Sequence, residues 1–216
     1  MTDIAKSKYY FIGEIGEEVP RVTEVLKIIA KGDAFDNWLR NKGKSSENLL
    51  SVAGDIGSSL HEHLETIGLG KVVDTKKVSP LEEKWLAEFY VWQKENIDSF
   101  METEGRVWHK VDKYAGTLDS LVKLKDGRTA VLDYKTTKYI YDTHELQVVA
   151  YVKAYEEMAG IKVDTAFILN FSKEDKKKLL SVKEVKNIPA QYEIWIHALK
   201  LWKWKFEKAK EWAEGK

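Results

Sequence analysis

The chain has no cysteine. That single absence removes disulfides, thiolate metal sites, iron–sulfur clusters and cysteine nucleophiles together. It also has no net charge, with 35 basic against 35 acidic residues. No overall field draws it to nucleic acid, so any basic surface must be local. Arginine is scarce and stands only at positions 21, 40, 106 and 128. No run of about 18 apolar residues is present, which argues against a membrane span. The opening Met-Thr-Asp-Ile-Ala-Lys lacks the apolar stretch of a secretion signal. Together these absences predict a cytoplasmic protein with no membrane partner. A phosphate-binding G-x-x-x-x-G-K-[S/T] loop is missing too, so no nucleotide cofactor and no ATP-driven motor are expected.

What remains suits one domain over 1–216. Hydrophobic residues make up 44% of the chain, enough for a core. No internal repeat or low-complexity linker marks a boundary. The pattern instead divides the domain into a mainly helical part (1–97), a sheet core (98–186) and a C-terminal helix (187–216). Abundant Lys and Glu without Cys fits a thermophile or an AT-rich genome equally. A short chain with no motor mildly favours a mobile element such as a virus or phage, in which case it would act in the host cytoplasm.

Residues 8–19 suit a short extended hairpin. Pro20 then opens a helix whose apolar face is Val22, Val25, Leu26 and Ile29. A second short helix is expected over 33–40, N-capped by Asp33. A longer one runs from about Ser46 to Ile67, with Ala53, Ile56, Leu60, Leu64 and Ile67 as its stripe. Gly57 and His61 share one flank of it and His63 lies on the other. A glycine in mid-helix costs roughly 1 kcal/mol against alanine, and it lets a neighbour approach closely. By periodicity alone His61 still reads first as a surface histidine. Ser79-Pro-Leu-Glu82 is a capping box with proline at the first helical position. The helix it starts carries Trp85, Phe89 and Trp92, read as core. Period two follows: strands over 99–109, 113–125 and 129–135. Asp142-Thr-His-Glu145 is a second capping box, opening a helix that ends at Gly160. Strands over 163–170 and 179–185 flank a charged turn at 173–178, and a long helix begins at Pro189. On it Trp195, Leu199 and Trp202 form a stripe, so core packing or an oligomer contact outweighs a base-stacking platform built from Trp202 and Trp204.

Two acidic residues, Asp119 and Asp133, sit on the strands of the hairpin from Ala115 to Lys138. Side chains alternate along a strand, so Asp133 and Lys135 share a face. The turn decides whether Asp119 joins them. A two-residue turn at Asp126-Gly127 sets Asp119 opposite Tyr134. A three-residue turn, Lys125-Asp126-Gly127, pairs Leu124 with Arg128 and sets Asp119 opposite Asp133. The longer turn needs a residue of positive φ at its third position, and Gly127 stands there. It is therefore the turn expected, since a slip of one residue would reverse every side chain. The two carboxylates then lie about 5 Å apart at Cβ and repel unless a cation or proton lies between them. Gln147 and Tyr151, four apart on the next helix, project from one face of it.

In combination these pieces resemble the PD-(D/E)xK nuclease superfamily, and within it the RecB-like exonuclease branch. The matching segments are Gly57-Ser-Ser-Leu-His61, Glu102 or Glu104 on the first long strand, Gly116-Thr-Leu-Asp119, Val131-Leu-Asp133-Tyr-Lys135-Thr and Gln147-Val-Val-Ala-Tyr151. They cover roughly 22–170. Leu118 stands where the superfamily's name has proline.

The resemblance implies an α/β fold of the α+β kind. It has a restriction-endonuclease-like core, a mixed sheet of about five strands flanked by helices, and an N-terminal helical region. It implies a divalent metal held by His61, Asp119, Asp133 and the backbone carbonyl of Tyr134, with Glu104 either hydrogen-bonded to one of these ligands or binding a second metal. Oxygen donors suit Mg²⁺ or Mn²⁺, and a histidine shifts the balance toward Mn²⁺. Lys135 would orient or deprotonate the attacking water, or stabilise charge on the phosphate. Gln147 and Tyr151 would position that lysine, the water or the phosphate. Thr136, Thr137, Lys138, Lys123 and Arg128, with Lys125, surround the hairpin and could contact phosphates. The expected activity is a DNA nuclease, first an exonuclease on DNA ends or single-stranded tracts in replication, recombination or repair. A structure-specific endonuclease and an inactive nucleic-acid-binding module remain open. So does the oligomeric state, a homodimer included, and any replication or recombination partner.

Overall fold

The computed structural model describes residues 8–29, 40–41, 43, 45–174 and 178–213. The short helix expected over 33–40 lies almost wholly outside them, as do 175–177 of the charged turn and the side chain of Ala53. The chain begins with an antiparallel hairpin, β1 (Tyr9–Ile12) and β2 (Glu17–Pro20). The helix expected after Pro20 is shorter than its apolar pattern suggests. Helix α1 is one turn, Val22–Val25, and a 3₁₀ turn over Leu26–Ile28 ends with Ile29 already extended. Val22, Thr23, Val25, Ile28 and Ile29 are all β-branched, which lowers helix propensity.

Helix α2 (Ser45–Gly68) and helix α3 (Pro80–Asn96) match expectation closely. The Ser79 hydroxyl accepts from the Glu82 N–H at 3.3 Å, and the Glu82 carboxylate accepts from the Ser79 N–H at 2.8 Å. That closes the capping box. The sheet follows as β3 (Ile97–His109), β4 (Tyr114–Leu124), β5 (Thr129–Lys135), β6 (Thr165–Phe171) and β7 (Leu180–Glu184). They lie side by side in that order. Helix α4 (Asp142–Ala159) crosses from β5 to β6, and this is the parallel pairing in a sheet whose other pairings are antiparallel. Parallel neighbours require such a crossover. Helix α5 (Ile188–Ala213) closes the chain. The five-stranded mixed sheet flanked by helices is thus present as expected.

Helices α2 and α3 cover one face of the sheet, where Leu60, Leu64, Trp85 and Phe89 meet Leu132 and Tyr134. Helices α4 and α5 cover the other, where Val149, Ala150, Trp195 and Leu199 meet Leu121 and Val131. Trp85, Phe89 and Trp195 are fully buried, whereas Trp204 is exposed. Trp85 of α3 and Trp195 of α5 therefore serve the core, each large side chain contributing about 1.5–3 kcal/mol by burial. The expected cap of α4 is corrected. Asp142 is the first helical residue, and Tyr141 is the N-cap, its N–H donating to His144 Nδ1 at 3.3 Å. Glu145 is taken elsewhere: it accepts from Lys183 of β7 and from Gln191 of α5.

Candidate metal centre

The β4–β5 hairpin has the three-residue turn. The Leu124 N–H donates to the Arg128 carbonyl at 2.8 Å, and Gly127 has φ +88°. The ladder runs from Lys123↔Thr129 to Ser120↔Leu132, so the next pair in register is Asp119 and Asp133. There the strands part. The Tyr134 N–H donates to Asp119 Oδ2 at 2.6 Å. Beyond that point β4 stays with β3, from Gly105↔Leu118 to His109↔Tyr114, while β5 stays with β6 through Lys135↔Asn170. The cleft between two strands of one sheet is where the acidic residues gather.

The partner strand is irregular at the same level. Glu104 has φ +48°, a left-handed conformation that costs a non-glycine residue about 1–2 kcal/mol. On β4, Leu118 and Leu121 are buried in the same core, although strict alternation puts residues three apart on opposite faces. β3 bulges just before, between Phe100 and Glu102, as strands do where they turn a corner, and Glu104 and Asp119 follow that corner. The corner brings Glu104 toward His61 on α2. His61 Nδ1 lies 3.4 Å from Asp119 Oδ1 and 3.6 Å from a Glu104 oxygen. His61 Nε2 donates to the Tyr134 carbonyl at 3.1 Å. The glycine on the flank of α2 has the neighbour anticipated for it, though a side chain rather than backbone. A β-carbon on Gly57 would lie 3.3 Å from the Thr136 hydroxyl.

Among the described residues, His61, Glu104 and Asp119 form a group whose ligand atoms lie within 4.8 Å of one another. Burial alone would lower the His61 pKa. The Asp119 charge, with hydrogen bonds that the imidazole donates to Asp119 and Glu104, overcomes it and raises His61 to about 10. Asp119 is pushed up by burial, but the His61 charge and hydrogen bond, Lys135 and the Tyr134 N–H together hold it below the usual carboxylate range. Asp133 behaves oppositely. Burial, with Asp119 nearby, pushes it up to about 6 against the pull of Lys135. It stands outside the three-residue group. Lys135 Nζ is 2.6 Å from its Oδ2, yet neither Asp133 oxygen receives a hydrogen bond of good geometry. The contact is an ion pair without directed donation. A buried carboxylate left in that state fits a cation, and the oxygen-rich set around it fits a hard one.

Lys135 and Asp133 share a strand face, as alternation requires. Gln147 Nε2 donates to the Tyr151 hydroxyl at 3.0 Å. The Tyr151 ring packs on Gly116, where a β-carbon would overlap it. Burial, with Asp133 adding, raises the Tyr151 phenol far above its ordinary value. Thr136 begins the segment after Lys135, and the hydroxyl of Thr137, next along it, donates to the Tyr139 carbonyl at 2.7 Å. Lys138 is ion-paired to Glu174 at 3.2 Å. Lys123 and Arg128 lie at the turn end of the hairpin, with Arg128 about 16 Å along β5 from Asp133 at the rise of a strand. Lys123 donates to Thr129, and Arg128 is held by Asp126 and Glu184. These two do not gather at the metal centre.

Asn170 was not singled out from the sequence. Its side chain accepts the Thr137 N–H at 3.1 Å and donates to the Thr137 carbonyl at 3.0 Å. It clamps the segment that follows Lys135, so it is a positioning residue. A polar residue near the end of an otherwise apolar buried strand was the available signal.

No family model matches the chain, and no curated protein sequence matches it. Solved structures similar to it include LHK-Exo in complex with dAMP, 12% identical over 91% of this chain and 94% of that one, at a TM-score of 0.43. They include the alkaline exonuclease LHK-Exo from Laribacter hongkongensis, 11% identical over 88% and 93%, at 0.35. A third, SSO0001, is 12% identical over 82% and 74%, also at 0.35. Likeness at this level leaves the chemistry to be read from the residues of the site.

Proposed function

We propose that this chain is a divalent-metal-dependent nuclease of the RecB-like PD-(D/E)xK kind, hydrolysing phosphodiester bonds in DNA. One observation carries the reading: the buried Asp133 carboxylate, lacking any directed donor, opens onto the same strand fork as His61, Glu104 and Asp119. His61, Asp119, Asp133 and the Tyr134 carbonyl would hold the cation, and Glu104 now stands among the ligand candidates. Mg²⁺ or Mn²⁺ suits these donors, the imidazole favouring Mn²⁺. When bound, the ion supplies Lewis-acid polarisation of the phosphate and an acidified water.

The chain's own residues do the remaining work. Lys135 brings an ammonium to the cleft, where it would stabilise charge on the phosphate or orient the water. Tyr151, fixed on Gly116 and by Gln147, stays a neutral phenol and can donate a hydrogen bond. Thr136 and Thr137 follow Lys135 directly and lie where a strand leaving the centre would pass. An exonuclease acting on DNA ends or single-stranded tracts is the preferred specificity. It rests on the sequence resemblance, since a fold does not fix a function.

The test is cleavage of end-labelled single-stranded, duplex and circular DNA with Mg²⁺ or Mn²⁺, beside Lys135→Ala. We expect metal-dependent cleavage of linear substrates, and a loss of about 10²-fold or more in Lys135→Ala with Mn²⁺ binding retained. Absence of metal-dependent cleavage on every substrate would remove the enzyme reading. Cleavage of circles would replace the exonuclease with an endonuclease.

A further inference from the structure

Two of the four arginines meet at one tyrosine outside the metal centre. The Arg21 guanidinium lies 4.1 Å from the centroid of the Tyr10 ring and that of Arg106 lies 4.9 Å from it. The two cations are therefore at most the sum of those distances, 9.0 Å, apart. Like charges so placed repel unless an anion lies near them. Among the described residues the arginine with carboxylate ion pairs is Arg128, and neither Arg21 nor Arg106 forms one. Arg21 Nε is buried with no acceptor, and an orphaned guanidinium N–H carries a cost. Two guanidinium groups on one ring, neither in an ion pair among the described residues, are the anomaly.

Their placement gives the anomaly a direction. Arg106 stands directly opposite Thr117 in the β3–β4 ladder. Thr117 is two residues, about 7 Å, along β4 from Asp119. The hydroxyls of Tyr10 and Thr117 are 3.3 Å apart. Arg21 is itself fixed to β4 by a bridge to Ala115. Tyr10 of β1, Arg21 just after β2 and Arg106 of β3 thus make a cationic, hydroxyl-bearing patch beside the strand that supplies Asp119. Seven ångströms is about two nucleotides' rise along a strand. A guanidinium fork matches phosphate oxygens in pairs, and stacking on an aromatic ring pre-orients it.

We propose that Arg21, Arg106 and Tyr10 form a phosphodiester-binding subsite that grips the nucleic-acid backbone beside the bond presented at the metal centre. This assignment rests on the nuclease reading above. Its ligand is a backbone phosphate, recognised without regard to base.

Arg106→Ala, the double variant with Arg21→Ala, and the pair Arg21→Lys with Arg106→Lys would be compared with the parent. Two probes serve: a fluorescent oligothymidylate in EDTA, titrated across a salt series, and inorganic phosphate by calorimetry. Affinity for the oligonucleotide is expected to fall about tenfold or more per alanine, and the salt slope by about 0.7 for each guanidinium removed. The lysine pair should keep the slope but lose affinity, because charge remains while the fork is gone. Phosphate binding should weaken in the same order, with Mn²⁺ affinity unchanged. If the parent binds phosphate through these arginines yet cuts no DNA, the subsite stands and the nuclease reading falls. Unaltered affinity and slope in the variants overturn the subsite. Arg106 is exposed, so Arg106→Ala alone decides the matter if the double variant does not fold.

Discussion

Gly116 shows how closely a single residue can set the site. The Tyr151 ring lies on its backbone, and Tyr151 in turn receives the Gln147 amide. Gly116→Ala puts a methyl group into that ring. Because Tyr151 is buried between α4 and β4, it cannot swing away freely. We expect a loss of about 1–3 kcal/mol in stability, seen in thermal or denaturant unfolding, together with weakened DNA cleavage. An alanine variant as stable and as active as the parent would show that the ring has room. Most single residues of the site were legible from sequence, because each belongs to a short spaced motif on one element. His61 follows Gly57 by four, Asp133 precedes Lys135 by two, and Gln147 precedes Tyr151 by four. Tyr10, Arg21 and Arg106 were not legible, since they come from three separate segments and meet only in the folded chain. Their one signal was scarcity: arginine is so rare here that each instance invites a reason.

At the scale of elements, the register of the β4–β5 hairpin could be counted because a turn is local. Gly127 at φ +88° is the residue that lets a three-residue loop close, and the loop length then fixes Asp119 against Asp133. Gly127→Ala keeps every catalytic side chain but strains the turn. We expect a loss of roughly 1–2 kcal/mol from the left-handed backbone, measured by urea unfolding. No loss would mean that another conformation closes the loop as well. The corner at Glu104 escaped the sequence for the opposite reason. Nothing in Met-Glu-Thr-Glu-Gly marks which residue leaves the alternation, because that choice is made by α2 packing across β3. A β-carbon on Gly68 would overlap Thr103 there, so the helix end is pressed onto the strand. Glu104 was consequently placed only provisionally from sequence, and it faces His61 directly. The start of α4 was likewise misjudged by one residue. Glu145 has long-range partners on β7 and α5, and these outcompete a local cap.

For the molecule as a whole, the turn end of the hairpin is tied into the sheet by Glu184. It accepts from Lys186, Arg128 and Thr165, so one carboxylate joins β5, β6 and β7. Those bonds, led by the one from Lys186, lower its pKa from 4.5 to about 2. A carboxylate depressed in the folded state adds stability that is fully present above the unfolded value of about 4.5. That stability is lost as pH falls toward 2. Glu184→Gln should therefore be less stable than the parent at neutral pH and converge with it near pH 2, as followed by thermal melts. A difference that stays constant across this range would assign the effect to packing rather than charge. The zero net charge has a consequence at this scale too: on the proposed reading, attraction to DNA would be short-ranged and confined to patches, so salt dependence should reflect few phosphate contacts. Finally, the bond from His61 to the Tyr134 carbonyl spans 73 residues, which gives the centre an order in time. On a chain made from its N-terminus, the histidine emerges long before the hairpin that completes its surroundings. Until that hairpin closes and α2 docks, the ligands are strangers to one another. On the nuclease reading proposed above, a half-made or misfolded copy would be harmless to the nucleic acid around it.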